Sequence, residues 1–451
     1  MDNLEEILIE GGSLNSSSSN EWAKNLEKLP VDSIRLVEMA RWNKLSIYRV
    51  PEWFKNMATD KNTYQPKLVS LGPFHHGEKD LEPMEEHKHR ALVHIVKRSC
   101  RPLKELFTAA IEEVVDELMD AYDNLDPKWR EPAGRERFVE MMVLDGCFLL
   151  EMWKGLSRKE APYDYAPNDP VFSLHGMLFL WVGIRCDMLV IENQIPMLAL
   201  FRLEQIWRGT TPLSEQDIND LVLDFVCDPL RDKDKPRKRI VENKLCLHPL
   251  DIYHKNFCGL HPAAPGKEMK WESSIHCAVE LKEAGIHLRK CSNTLVIDYK
   301  SGVLSLPTVS ISHDGTEKIF FNLMAFERLH SDAGSEATDY FIFMDNIINS
   351  ESDVALLRSK GIIKNLLSSD TEAAQLFNNL SRGAVLNPFS RLHEVRRKVN
   401  THCAKPWNKY MAILKRTYMS NPWLLISLMA AASLLIATFL QTIYTILGFY
   451  P

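Results

Sequence analysis

The chain has 451 residues, 45% hydrophobic and 25% charged, a globular composition with ample material for a core. A formal net charge of −6 provides no electrostatic case for nucleic acid as a partner. Nine scattered cysteines, an odd number with no C-x-x-C pair, argue against a disulfide framework and for reduced thiols in a cytosol-facing domain.

At the N-terminus Asp2, Glu5 and Glu6 with no long apolar run do not resemble a secretory signal peptide. The run GGSLNSSSSN at 11–20 makes residues 1–30 a disordered segment by expectation. A helical soluble domain is expected over 31–400. Its clearest amphipathic helix is 103–122, where Leu103, Leu106, Phe107, Ala110, Ile111 and Val114 recur at three and four. Arg135–Trp153 is a second helical segment, and Leu189–Trp207 a third, entered or kinked at Pro196. Met177–Ile184 is very apolar, but Arg185 and Asp187 cut it short, so it reads as core and not as a span. Residues 228–240 and 259–270 have loop composition.

A β-rich region occupies 294–322. Strands are expected at Leu295–Ile297, Val303–Leu306, Val309–Ile311 and Ile319–Phe321, with Ser301-Gly302 and Asp314-Gly315 as turns. Helices resume over Ala325–Leu380, with Ser352-Asp353 as a cap. The expected class is therefore mainly α with a small antiparallel sheet (α+β), closed by a single C-terminal transmembrane helix.

That helix is the strongest signal. Residues 417–451 contain no Asp, Glu, Lys, Arg or His, and 422–447 is apolar on every side. The 25 residues from Trp423 to Leu447 rise about 37 Å as a helix, enough for a hydrocarbon core of about 30 Å. The juxtamembrane stretch 401–421 carries Lys405, Lys409, Lys415 and Arg416, preceded by Arg391, Arg396, Arg397 and Lys398. By the positive-inside tendency this basic flank stays cytosolic, which makes the chain single-pass and tail-anchored with its soluble domain in the cytosol. Sequons at Asn15 and Asn379 would be usable only in the opposite orientation.

Catalytic signatures are sparse. There is no Walker A or G-x-G-x-x-G loop, no G-x-S-x-G elbow and no H-E-x-x-H helix. A polar cluster at 64–90 offers His75, His76, Glu85 and His87, and supports as an alternative a membrane-associated hydrolase or metal-dependent enzyme, with Glu192 as a further candidate. Its spacing matches no metal-site pattern, and a turn followed by a polar helix start is the simpler reading. Asp145 and Glu151 inside MMVLDGCFLLE, and Glu192-Asn193-Gln194 before Ile195-Pro196, are read as groups tying helix ends and buried backbone. Cys147 is read as a small hydrophobe. No catalytic, cofactor-binding or metal-ligating residue is assigned.

Several segments occur in an order that carries a resemblance. These are IYRVP at 47–51, Tyr64–Gly77, MEEHK at 84–88, LDGCFLLE at 144–151, IENQIP at 191–196, AVELKEAG at 278–285, NLMAFE at 322–327 and Asn421-Pro422-Trp423 through Tyr444. Over about 45–447 the chain resembles the plant family called domain of unknown function 247. The resemblance implies a plant membrane protein without assigned catalysis; some members are implicated in self-incompatibility recognition. The expected function is thus non-enzymatic protein–protein recognition or signalling at a membrane, with an unidentified protein partner, the bilayer as the second partner, and no cofactor.

Overall fold

A computed structural model of the chain describes residues 31–449 except 59, 101, 159–163, 210, 228–243, 260–274, 292–294, 314, 383, 386, 388–389, 409 and 412–421. The expectations for 1–30, for 228–240 and for most of 259–270 lie outside the described residues. The chain divides into two compact units, 1–256 with 321–333, and 257–320 with 334–451.

The first unit contains α1 (Val31–Trp42), α2 (Glu52–Lys55), α3 (Glu82–Ser99), α4 (Ala109–Glu112), α5 (Val115–Asp120), α6 (Pro132–Arg158), α7 (Leu174–Met188), α8 (Met197–Arg208), α9 (Glu215–Cys227) and α10 (Pro249–Cys258) to residue 256. Its axis is α6, 27 residues long, against which α3, α7, α8 and α9 pack. Every residue from Met141 to Trp153 is buried, because the segment is apolar on all sides and has no face to offer water. Gly146 permits the closest approach: a Cβ there would lie 2.4 Å from Leu203 Cδ1 of α8. Asp145 and Glu151 are carried inside with the helix, and each meets a base from α3, Lys88 and Arg98 respectively. Burying a carboxylate is tolerable only with such a partner.

Three expectations in this unit are corrected. The helix expected over 103–122 is broken into a π-turn at Leu103–Thr108 after Pro102, then α4 and α5, with Val114 out of helical geometry at φ −119°. The third helical segment is entered at Pro196, which is extended, and so starts at Met197 and not at Leu189; Val190–Asn193 form a turn before it. Met177 and Ile184 of α7 are buried, but Phe179 between them is 74% exposed, so this apolar run is only half core.

The second unit contains α11 (Ala278–Glu283), β1 (His287–Cys291), β2 (Asp298–Lys300), β3 (Val303–Pro307), β4 (Val309–Ile311) and the first turn of α12 (Thr316–Leu329). It continues with α13 (Glu336–Ile347), α14 (Glu351–Ser359), β5 (Ile363–Asn365), α15 (Asp370–Leu380), α16 (Leu392–Cys403) and α17 (Pro422–Phe449). The α-rich class with small sheets holds. In the three-stranded sheet β1-β3-β2, β2 pairs with β3 antiparallel while β1 pairs with β3 in parallel, and β4 pairs in parallel with β5. The β1 and β5 strands were not expected, the strand expected at Leu295–Ile297 forms instead at Asp298–Lys300, and Ile319–Phe321 is helical: its apolar residues continue at three and four through Leu323, Phe326 and Leu329. The cap of α14 lies two residues earlier than expected, at Ser350, whose side chain and that of Asp353 form a capping box. Asp353 Oδ1 also accepts the Val279 N–H at 2.9 Å, so one carboxylate ties α14 to α11. Phe257, Phe320, Tyr340 and Phe341 form the aromatic core, with 4.4 Å between the ring centroids of Phe320 and Phe341.

In α17, residues Ile426–Leu447 form a 22-residue stretch long and apolar enough to cross a membrane, and none of it is buried against the rest of the chain. A soluble core helix of this composition would be covered.

Candidate functional site

The densest buried polar arrangement of the first unit surrounds the turn between α7 and α8. Facing it, residues 67–72 form irregular backbone with no strand partner among the described residues, and from Val69 to Gly72 they are buried, so their backbone donors need acceptors. Side chains supply them. Asp187 Oδ2 accepts the N–H of Leu68 at 2.6 Å and of Val69 at 3.0 Å, and Oδ1 accepts that of Lys67 at 3.0 Å. Asn193 Oδ1 accepts the Leu71 N–H at 2.7 Å, and Asp145 Oδ2 that of Gly72 at 2.8 Å. The Asn193 amide donates to the carbonyls of Val69 and Asp187, both at 3.0 Å. Gly72 must be glycine here: its φ is +71°, and a Cβ would lie 2.5 Å from the Gln194 carbonyl oxygen.

The neighbouring side chains do the same for other segments. Gln194 donates to the carbonyls of Met188 and Val190, both at 2.6 Å, and accepts the Leu250 N–H at 3.1 Å. Asn322 accepts the Ile191 N–H at 2.9 Å and donates to the Thr63 carbonyl at 2.9 Å. Lys88, fully buried, donates to Asp145 Oδ1 and Glu85 Oε1, each at 2.6 Å, and to the Ser70 carbonyl at 2.7 Å. Burial raises the Asp145 carboxyl above the usual range, and Lys88 opposes that shift. The Cys147 thiol, two positions after Asp145 in α6, is fully buried and pushed well up by desolvation, which leaves it without thiolate character.

The four residues of the enzymatic alternative are dealt to separate partners. His75 Nδ1 lies 2.7 Å from Glu78, and its Nε2 is 3.7 Å from Glu192 Oε2. His76 sets its ring edge-on to Trp129, with centroids 5.8 Å apart. Glu85 bonds to Ser70 Oγ and Lys88. His87 Nδ1 is 2.8 Å from Arg90, and burial followed by the Arg90 charge lowers its pKa. No hydrogen bond or ion pair among the described residues joins one of the four to another. Glu192, favoured from the sequence as structural and also a further candidate of that alternative, accepts the Val50 N–H at 2.7 Å and lies 3.0 Å from Lys55 Nζ. Beside it Tyr64 is buried, its hydroxyl pushed well up by desolvation and by the Glu192 charge.

Sequence reasoning missed three participants. Lys88 sits in a run of charges that gave no sign of burial. Asp187 was read only as ending an apolar run; a charge inside such a run was the available signal. His248 was not singled out; its Nε2 donates to the Ser46 carbonyl at 2.9 Å while Nδ1 accepts the Asp251 N–H at 3.2 Å. Burial lowers its pKa to about 4. His254 Nε2 and Glu327 Oε1, both buried, lie 2.8 Å apart.

These features define a helical protein whose motif residues serve as hydrogen-bond partners for irregular backbone, followed by one helix of membrane-spanning length. The family model described as "Plant protein of unknown function" matches residues 47–437, and the chain belongs to that family, domain of unknown function 247. It is similar to the UPF0481 protein At3g47200 of Arabidopsis thaliana, at 30% identity covering 93% of this chain and 90% of that protein. A second Arabidopsis protein, the putative UPF0481 protein At3g02645, is 29% identical over 38% of this chain and 33% of its own length. No solved structure matches the chain significantly.

Proposed function

We propose that this is a non-enzymatic, single-pass protein held in a membrane by α17, with its folded part in the cytosol, and that it acts by recognising another protein. The uncovered apolar length of Ile426–Leu447 carries the reading, since exposing it to water has a large free-energy cost and a bilayer removes that cost. The basic flank before α17 supports the cytosolic orientation. Support for recognition over catalysis comes from the hub, where the titratable groups are engaged with backbone or with one another. The exposed apolar side of α7, with Leu174 and Phe179, offers a partner protein a face.

Two measurements test this. Membranes from plant cells expressing the tagged chain are washed in alkaline carbonate and then treated with protease; a retained protein whose N-terminal tag is digested from the cytosolic side supports the reading. Release by carbonate, or glycosylation at Asn379, refutes the anchor or the orientation. Proximity labelling with the full chain and with Phe179→Asp tests recognition: partners lost in the variant support it, and an unchanged or empty partner set counts against it.

A further inference from the structure

The second unit has a basic cleft that neither the fold nor the recognition reading uses. The helix α16 turns Leu392, Val395, Arg396 and Val399 inward, so Arg397, Lys398 and Thr401 face out. Together with Tyr299 from β2, His402 and Lys405 they line a cleft of about 220 Å³. That is smaller than the roughly 300–1,000 Å³ of sites for drug-sized ligands, and suits a compact polar group.

The charge balance selects the ligand. Glu394 is shared by two bases, at 2.8 Å from Arg397 and 3.4 Å from Lys398, and Asp298 is taken up by Lys300 at 2.8 Å. Lys405 has no acidic partner among the described residues. Between 391 and 416 the chain carries eight Lys and Arg against one Glu. The imidazole of His402 sets its ring edge-on to Tyr299, with centroids 6.0 Å apart, and its Nε2 is buried with no hydrogen-bond partner. The Thr401 hydroxyl donates to the Arg397 carbonyl at 2.7 Å, so it is the excess of cations, Lys405 above all, that makes a surface for an anion with several acceptor oxygens.

We propose that this cleft binds a phosphomonoester anion, presented by a membrane lipid headgroup or free in solution. Lys398 and Lys405 supply the charge, while the Arg397 fork is held by Glu394, through Nε at 3.0 Å and Nη2 at 2.8 Å. Lys405 lies only 17 positions before Pro422, so the chain holds the cleft within about 60 Å of the start of the proposed span. For the lipid source the inference rests on the anchored reading; the free source does not.

The test uses full-length protein purified in detergent, with no bilayer and no partner protein. Two probes are titrated separately: inositol 1,4,5-trisphosphate in solution, and micelles doped with phosphatidylinositol 4,5-bisphosphate or, as a control, phosphatidylserine. Each basic residue near an anionic surface contributes about fivefold to binding, so Lys398→Glu/Lys405→Glu lowers affinity by more than about twentyfold. Lys360→Glu/Lys364→Glu, an equal charge change outside the cleft, leaves it within about threefold. Where the reversal variant melts differently from wild type, Lys398→Gln/Lys405→Gln replaces it, with a loss of at least about tenfold expected. Tight binding of both probes indicates recognition of the phosphate group itself, and binding of the micelles alone indicates the lipid source. Equal loss in the two charge-reversal variants, equal affinity for phosphatidylserine, or no binding of either phosphorylated probe overturns the proposal. Failure of the anchor would show separately, as release by carbonate.

Discussion

Replacing Lys88 tests whether the buried hub is held by pairwise charge compensation. Lys88 is fully buried and links α3 to Asp145 of α6, to Glu85 and to the Ser70 carbonyl. In Lys88→Met the packing volume is nearly kept, but Asp145 stays inside with only the Gly72 N–H against its charge. Breaking one side of a buried pair costs about 3–5 kcal/mol. At a urea slope of about 2 kcal/mol per molar, the unfolding midpoint then falls by about 2 M. Asp145→Asn in the same chain removes the stranded charge and keeps an oxygen for Gly72. The double variant is therefore expected to recover about 2 kcal/mol of the loss, a coupling in the range measured for contacting residues. The assay is equilibrium urea unfolding of the detergent-solubilised chain, followed by circular dichroism, for wild type, both single variants and the double variant. Additive losses, with the double variant falling by the sum of the singles, would refute the reasoning.

Acid sensitivity has a defined source in His248. Its folded pKa of about 4 lies below the unfolded value of 6.5, so the unfolded chain takes up the proton first and stability falls as pH drops from about 6.5 to about 4. The contribution is full above pH 6.5 and amounts to about 3 kcal/mol, so His248→Gln should flatten urea midpoints measured between pH 7 and pH 4.5; an unchanged slope would assign the acid sensitivity elsewhere. Gly72→Ala forces a side chain into φ +71° and against the Gln194 carbonyl, which costs more than about 2 kcal/mol and should lower the thermal midpoint by at least about 4 °C in a melting scan. In α17, Leu435→Arg/Ile436→Arg replaces two exposed apolar residues near the middle of the segment, at about 3–4 kcal/mol each for insertion. That variant should float with vesicles far less than wild type, and equal flotation would mean that the segment does not span.

What could be read from the sequence follows the strength of each local signal. The long apolar segments at 141–153 and 426–447 were legible because a helix that is apolar on all sides has few destinations. The break in 103–122 and the strands β1 and β5 were not, because three- to five-residue strands paired with distant partners leave little local period. Ile319–Phe321 shows the reverse error, since three apolar residues fit either period until Leu323 and Phe326 are counted. At the hub, the role of Glu192, Asn193 and Gln194 in tying backbone was legible from polar groups inside apolar surroundings. Their partners were not, because Asp187 meets Val69 across 118 positions and Asn193 meets Leu71 across 122.

Those separations bear on the order of assembly. Residues 67–72 have no local hydrogen-bonding scheme, so they cannot settle until α7 and its following turn have been synthesised and brought back to them. Closing a loop of over a hundred residues precedes any reward from the contact, which places this union late in folding and makes it all-or-none. Amide hydrogens of Leu68, Val69 and Leu71 should then exchange together, at the rate of the global opening and not as a fraying coil. The irregular stretch would be among the most slowly exchanging parts of the chain.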